Sequence, residues 1–357
     1  MEAGTPLLEG VWSAEDTSPS KIEAALRHLL EEQNAKSEGG YAPARVLNLV
    51  VVLDKDWRGE IVNRLERVGR YHPSRTIVCA VEQGRDSIDA RATMSCDEPE
   101  PGELAVTRER VEIDIGPRHL QHLNAIVDPL LVPDLSTLVW SPHGHPDAID
   151  ALLGLAQVVL IDSVDEPDPR AAIERANQLA EEAYVVDLAW LRSTPWRERI
   201  AATFDPEVWR PSLRQVSGVT VRLQPDSVES ALLLVGWLGS RLGWAPGALM
   251  AHDGGFRGRA SAGKHEVEVR LEVDATMAVP GLAGVTIETA SGLSLSLNRG
   301  PGGLTATRRD PDGEELEWTV VGASRGEAGI LGEGIRQALL RDPTYSAAID
   351  WAAKTLG

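Results

Sequence analysis

An apolar run over residues 46–53, set between two helical segments, narrows the possible folds more than any other feature of the chain. Neighbouring side chains in a strand point to opposite faces, so a run of this kind suits a strand buried on both sides. Such strands belong to sheets covered by helices on both faces, and the run therefore predicts an α/β domain. The flanks agree. Ser18 can cap a helix, Pro19 suits its first turn, and Ile22, Ala25, Leu26, Leu29 and Leu30 fall on one face. Asp56 opens a second helix that carries Ile61, Leu65 and Val68 to a stop at Gly69. Residues 76–81 supply the next strand, while 87–95 and 104–115 alternate like an antiparallel extension. Helices from Pro117 to Leu131, after Pro146, from Pro169 and from Thr194 then intersperse with strands at 135–140 and 157–162. The first domain, residues 1–214, is expected to hold a mixed, partly parallel sheet.

Beyond residue 214 the texture changes. Residues 216–223 read as a strand, and Asp226 with Glu229 three residues on reads as a capping box for a long helix. From His265 the alternation is strict, with Val267, Val269, Leu271 and Val273 on one face and Glu266, Glu268, Arg270, Glu272 and Asp274 on the other. A sheet of that pattern has one wet and one covered face. Further short strands between glycine turns, then two helices, predict an α+β domain over 215–357, an antiparallel meander covered by helices.

The formal net charge of −19 excludes two classes of partner. Nucleic acid and anionic membrane both depend on Lys and Arg clusters, and a surface this negative repels them. The N-terminus lacks a basic stretch followed by an apolar one, which points to a cytoplasmic protein. Cys79 and Cys96 form neither a disulfide framework nor a zinc set. If 76–81 and 87–95 formed a hairpin, Cys96 would lie about 20 Å from Cys79, too far for a bridge.

Residues 258–265, GRASAGKH, come within one residue of a phosphate-binding loop. His265 replaces the hydroxyl that should hold magnesium, and a strand follows where a helix should, so the segment reads as a mobile polar hairpin loop. His119 and His122, with His143 and His145, could supply four imidazoles to a metal, but neither pair has a metalloenzyme spacing. There is no nucleophile elbow, and Ser163 suits a turn. What remains is Trp140, Trp190, Arg192, Trp196 and Arg197 in expected turns, residue types enriched at interface hot spots. His72, Ser74 and Arg75 occupy a comparable loop before a central strand.

The segments ARVLNLVV from Ala44, HPSRT from His72, DPLLVPDL from Asp128, DLAW from Asp187 and TPWRE from Thr194 together resemble the glucose-6-phosphate dehydrogenase assembly protein family, OpcA. The resemblance covers nearly the whole chain and implies an accessory protein without catalytic residues that binds the dehydrogenase; the residue patterns above lead to no cofactor and no metal being expected. It departs from the family where Trp140 is followed by Ser141 instead of a second tryptophan, and in its scarcity of cysteines. The two groups 72–75 and 190–197, with Trp140, are the expected docking residues. The competing expectation is a metal-dependent hydrolase acting on a sugar phosphate through the histidines.

Overall fold

A computed structural model of the protein describes residues 6–36, 45–69, 73–97, 107–142, 144–300, 302–321 and 326–356. Two compact units form, Met1–Ile161 with Glu182–Val186, and Asp162–Glu181 with Asp187–Gly357. Through the first unit run β1 (Pro6–Ala14), α1 (Pro19–Lys36), β2 (Leu47–Asp54), α2 (Arg58–Gly69), β3 (Ser74–Val81), β4 (Asp89–Asp97) and β5 (Thr107–Ile115). There follow α3 (Leu123–Val127), β6 (Thr137–Trp140), α4 (Pro146–Leu152) and β7 (Val158–Ile161); after α5 (Pro169–Glu182), most of which belongs to the second unit, comes β8 (Tyr184–Asp187).

The apolar run behaves as its composition demands: Leu47 to Leu53 are all buried at the centre of an eight-stranded sheet ordered β1-β4-β5-β3-β2-β6-β7-β8. β2 pairs in parallel with β3 and β6, β3 with β5, and β6 with β7. The stretch β5-β3-β2-β6-β7-β8 is thus the 3-2-1-4-5-6 order of a doubly wound sheet, with the order reversing between β2 and β6. Two antiparallel strands, β4 and then β1, extend it past β5.

Three local readings of the first unit need correction. β1 is absent from the sequence pattern, because Glu9, Gly10 and Ser13 disguise it; a Cβ on Gly10 would come within 3.1 Å of Leu29 and Gln33 of α1. The hairpin between 76–81 and 87–95 does not form, since β5 inserts between β3 and β4. Cys79 and Ala90 therefore flank Ile113 in one row, and Cys96 stands opposite Thr107. Cys79 is buried, which pushes its thiol up to about 12. The helix expected over 117–131 is split into a 3-10 segment Pro117–His122, the short α3 and a 3-10 turn Asp128–Leu130 at Pro129.

The second unit begins, after α5, with α6 (Leu188–Arg192) and α7 (Thr194–Phe204), followed by β9 (Val216–Leu223) and α8 (Val228–Leu242). Next come β10 (Leu249–His252), β11 (Gly255–Ala262), β12 (His265–Val273), β13 (Leu282–Thr289), β14 (Ser294–Gly300), β15 (Gly303–Arg309) and β16 (Glu315–Val321), then α9 (Gly326–Leu340) and α10 (Thr344–Thr355). The sheet runs β10-β11-β12-β9-β13-β14-β15-β16. It is antiparallel except where β12 meets β9, so the α+β architecture holds with one parallel pair at its middle. The strict alternation from His265 gives the expected result: Val267, Val269 and Leu271 are buried against the helices, while Glu266 and Glu272 face water.

Residues 258–265 are not a loop. β11 continues to Ala262, Gly263 and Lys264 make a two-residue turn with Gly263 at φ 70°, and β12 starts at His265. The amides that a phosphate loop would present are spent on the sheet ladder. The boundary expected after residue 214 falls inside the second unit, because residues 187–214 are tied to its C-terminal helices. Tyr345 of α10 donates to Asp187 at 3.1 Å, and the Trp190 indole donates to Asp342 at 3.0 Å.

Candidate functional site

Asp187 ends β8 and caps α6, accepting the Ala189 amide at 2.9 Å, as an aspartate before a helix does. Ser193 closes α6 with a hydroxyl bond to the Trp190 carbonyl at 2.7 Å, and Thr194-Pro195 then opens α7. One turn later Arg197 points back over this junction. Its Nε donates to Ser193 Oγ at 3.1 Å, and its Nη2 donates to the Trp190 carbonyl at 3.2 Å and Thr194 Oγ1 at 2.9 Å. The guanidinium lies on the Trp190 ring, and Tyr345 meets that ring edge-on at 5.6 Å. Burial pulls the Arg197 guanidinium down to about 10, against the charge of Asp342.

Trp190 and Arg197 are thus in contact, and Trp190, Trp196 and Arg197, expected in exposed turns, are inside the unit and not on its surface. An arginine one turn past two helix starts reads as exposed in sequence; here the indole of Trp190 replaces the solvent over it. Arg192 is half-buried and grips Asp162 through two bonds, at 2.8 and 2.6 Å. In the first unit Trp140 is buried. Arg75 is half-buried, bonding Glu109 at 2.9 Å and the Leu130 carbonyl at 3.0 Å, while Arg45 binds the same carboxylate. Ser74 meets Thr76 at 3.2 Å. His72 lies outside the described residues.

Sequence reasoning misses a group of buried carboxylates around α6 and α8. Asp187 is wholly buried and holds Ser163 N at 3.2 Å as well as Ala189 N and Tyr345. Burial and the nearby Asp162 push its carboxyl up to about 6, opposed by those amide bonds. Glu229 does not close a capping box. It is 3% exposed, with Oε2 lacking a hydrogen-bond partner, and burial together with Asp187 and Asp162 pushes it up to about 7. The only sequence signal is polar character inside an otherwise apolar helix start.

At the carboxyl ends of β2, β3 and β5, to one side of the β2–β6 switch point where a doubly wound sheet offers its crevice, ion pairs link neighbouring strand ends. Lys55 reaches Glu82 at 2.8 Å and Asp114 at 3.3 Å, Arg58 reaches Asp114 at 2.6 Å, and Arg85 reaches Glu82 at 2.6 Å. The turn after β2 reads Lys55-Asp56-Trp57-Arg58, with no glycine-rich phosphate loop. His145, at φ 63°, pairs with Asp54 at 3.0 Å, and His119 Nδ1 accepts the Gly116 amide at 3.0 Å. His143 lies outside the described residues. Among the described residues, the side chains close enough to share a metal are Asp310, Asp312 and Glu314 in the β15–β16 turn, without a histidine. Among the same residues no helix is long and apolar enough to cross a membrane.

These features define a class: a doubly wound unit with ion pairs over the carboxyl ends of β2, β3 and β5, followed by a sheet-and-helix unit braced by a Trp–Arg–Asp junction. Residues 66–178 match the family model described as the glucose-6-phosphate dehydrogenase subunit N-terminal domain, and residues 183–349 match the corresponding C-terminal domain. The chain belongs to the OpcA family of glucose-6-phosphate dehydrogenase assembly proteins. It is 27% identical over 240 residues to an OpcA protein of Synechococcus elongatus named for the OxPP cycle, covering 66% of this chain and 52% of that one. An OpcA protein of Nostoc punctiforme, named likewise, is 24% identical over 197 residues, covering 54% of this chain and 42% of the relative. The chain therefore spans about half the length of these relatives or less. Among solved structures, apo scyllo-inositol dehydrogenase from Lactobacillus casei is similar at 12% identity and a TM-score of 0.43, over 88% of this chain and 96% of that one.

Proposed function

We propose that this chain is a non-catalytic effector that binds glucose-6-phosphate dehydrogenase in the cytoplasm and favours its assembled or active state. The observation that carries the reading is that both parts of the chain match families described as subunit domains of that dehydrogenase. The turn after β2, which lacks a glycine-rich phosphate loop, and the ion pairs that tie the neighbouring strand ends together support it, since such a surface suits docking better than cofactor exchange. An effector of this kind acts by binding the competent state of its partner more tightly than the incompetent one. The partner surface is expected to include the partly exposed Ser74, Arg75 and Arg192. Trp140, Trp190, Trp196 and Arg197 contribute by holding the shape of the backbone beneath.

The test mixes the purified chain with the dehydrogenase of the same organism. Alone, the chain should reduce no NADP with glucose 6-phosphate; together, the two should co-migrate, and velocity or apparent substrate affinity should change. Independent migration with unaltered kinetics across all ratios would overturn the proposal.

A further inference from the structure

β16 is a long, regular strand at the end of its sheet, and among the described residues no strand pairs with its outer side. It pairs with β15 over seven positions without a register shift, and its sequence ELEWTVV holds no Lys, Arg, Pro or Gly. Exposed edges invite pairing with another strand and are usually blunted by such residues, by bulges or by shortness. Other edges in this protein follow that habit: β10 and β8 have four residues each, and β1 carries a register irregularity between Pro6 and Leu8.

The edge also interrupts a core. In β15, Leu304 and Ala306 are buried on the helix-facing side. Their neighbours in β16, Val320 and Trp318, are half-exposed, and Leu316 is 52% exposed. Beside them an open groove of about 170 Å³ is lined by Arg199, Ala202, Thr203, Pro206 and Arg308 together with Leu316 and Trp318. The apolar face of the sheet thus reaches the edge strand without being closed there.

We infer that β16 joins two copies of this chain, pairing antiparallel with itself about a two-fold axis at Trp318. The sequence is self-complementary in that register. Leu316 falls opposite Val320, Trp318 opposite Trp318, and Glu317 opposite Thr319, so six apolar side chains from two copies share one face. Charge disfavours two neighbouring registers, and centring on Trp318 is the one register that engages all seven residues of the strand. Centring on Leu316 sets Glu315 against Glu317, and centring on Glu317 sets that carboxylate against itself, both unfavourable. Centring on Trp318 leaves each carboxylate opposite an uncharged residue.

The experiment is light scattering of the full chain over a wide range of concentration. The expected result is a concentration-dependent mass of twice 38.5 kDa. Thr319 and Leu316 are exposed, so their variants should keep the parent's melting temperature. T319E opposes Glu317 twice and should weaken the dimer about tenfold, T319K should tighten it, and L316K should weaken it by placing an ammonium among the apolar side chains. In E317C/T319C an intermolecular disulfide should form under oxidation, whereas E315C/T319C should not cross-link. A monomer at every concentration would overturn the inference, as would a dimer that ignores T319E and L316K. Loss of dehydrogenase binding by L316K in a monomeric parent would assign the edge to a strand of that partner instead.

Discussion

The guanidinium carbon of Arg197 lies 3.4 Å from the centroid of the Trp190 ring, inside the second unit. Three hydrogen bonds to Ser193, Thr194 and the Trp190 carbonyl fix it there, and the indole in turn holds Asp342 just ahead of α10. The pair therefore ties the start of α7 to the C-terminal helices. A cation in this setting stays charged only because ring, hydroxyls and carboxylate replace its water.

Arg197→Ala should consequently lower stability by about 3 kcal/mol, the scale for removing one member of a buried charged network. Arg197→Lys should recover little of it, because one ammonium cannot reach three acceptors and stack at once. Urea denaturation of both variants checks this. A loss near zero for the alanine variant would mean that the arginine swings out to solvent.

Glu229 gives the protein a pH dependence in an unusual direction. Its folded carboxyl is raised to about 7 from the ordinary carboxylate range, so the folded state binds a proton that the unfolded state releases. The stability it contributes is complete below about 4.5 and is lost as pH rises through about 7. Asp187, raised to about 6, acts in the same sense. Glu229→Gln keeps the volume without the ionisation, and relative to the parent it should gain up to ~3 kcal/mol between pH 5 and pH 8. Melting curves of both proteins across that range provide the comparison; parallel curves would contradict the expectation.

Asn48 sits in the middle of the most apolar strand and is fully buried. Its side chain accepts the Val132 amide at 2.9 Å and donates to the Val132 carbonyl at 3.1 Å, fixing the 128–135 loop against β2. Asn48→Ala strands both groups and should cost about 2 kcal/mol. Asn48→Val, closest in shape to the strand's other residues, should be no better, and this distinguishes lost hydrogen bonds from lost packing. Chemical denaturation of the two variants measures it.

Much of this is legible in sequence where one physical signal dominates. The unbroken apolar character of β2 and the strict alternation of β12 define the two kinds of sheet, since burial on two faces or one leaves different periods. Strand order is not legible: nothing local tells β4 that β5, and not β3, is its neighbour, because pairing is decided over long separations. The candidate site is half legible. Trp190, Arg192, Trp196 and Arg197 stand out as a group through their caps and spacing, but the burial of Trp190 and Arg197 does not, as both meet Asp342, and Trp190 also Tyr345, some 150 residues away. Glu229 is misjudged because an acid near a helix start is ordinarily solvated.

The close approach of α8 and α10 rests on glycine, and this yields a prediction with an internal comparison. A Cβ on Gly236 would fall 2.2 Å from the Ala348 carbonyl oxygen of α10, a backbone atom that cannot rotate away. In a helix interior Gly→Ala ordinarily gains ~1 kcal/mol from propensity. Here the clash must be relieved by moving a whole helix, which carries Tyr345 and its bond to Asp187, and overpacking of that kind costs roughly 1–3 kcal/mol or more. Gly236→Ala should therefore destabilise by about 2 kcal/mol net, and should weaken the Tyr345–Asp187 contact along with it. At Gly59 of α2 an added methyl group would meet no atom within 4 Å, so Gly59→Ala should be neutral or stabilising by up to ~1 kcal/mol. Thermal unfolding of the two alanine variants side by side decides the matter: equal stability in both would show that α10 is free to shift, and that the glycine is not what sets the helix spacing.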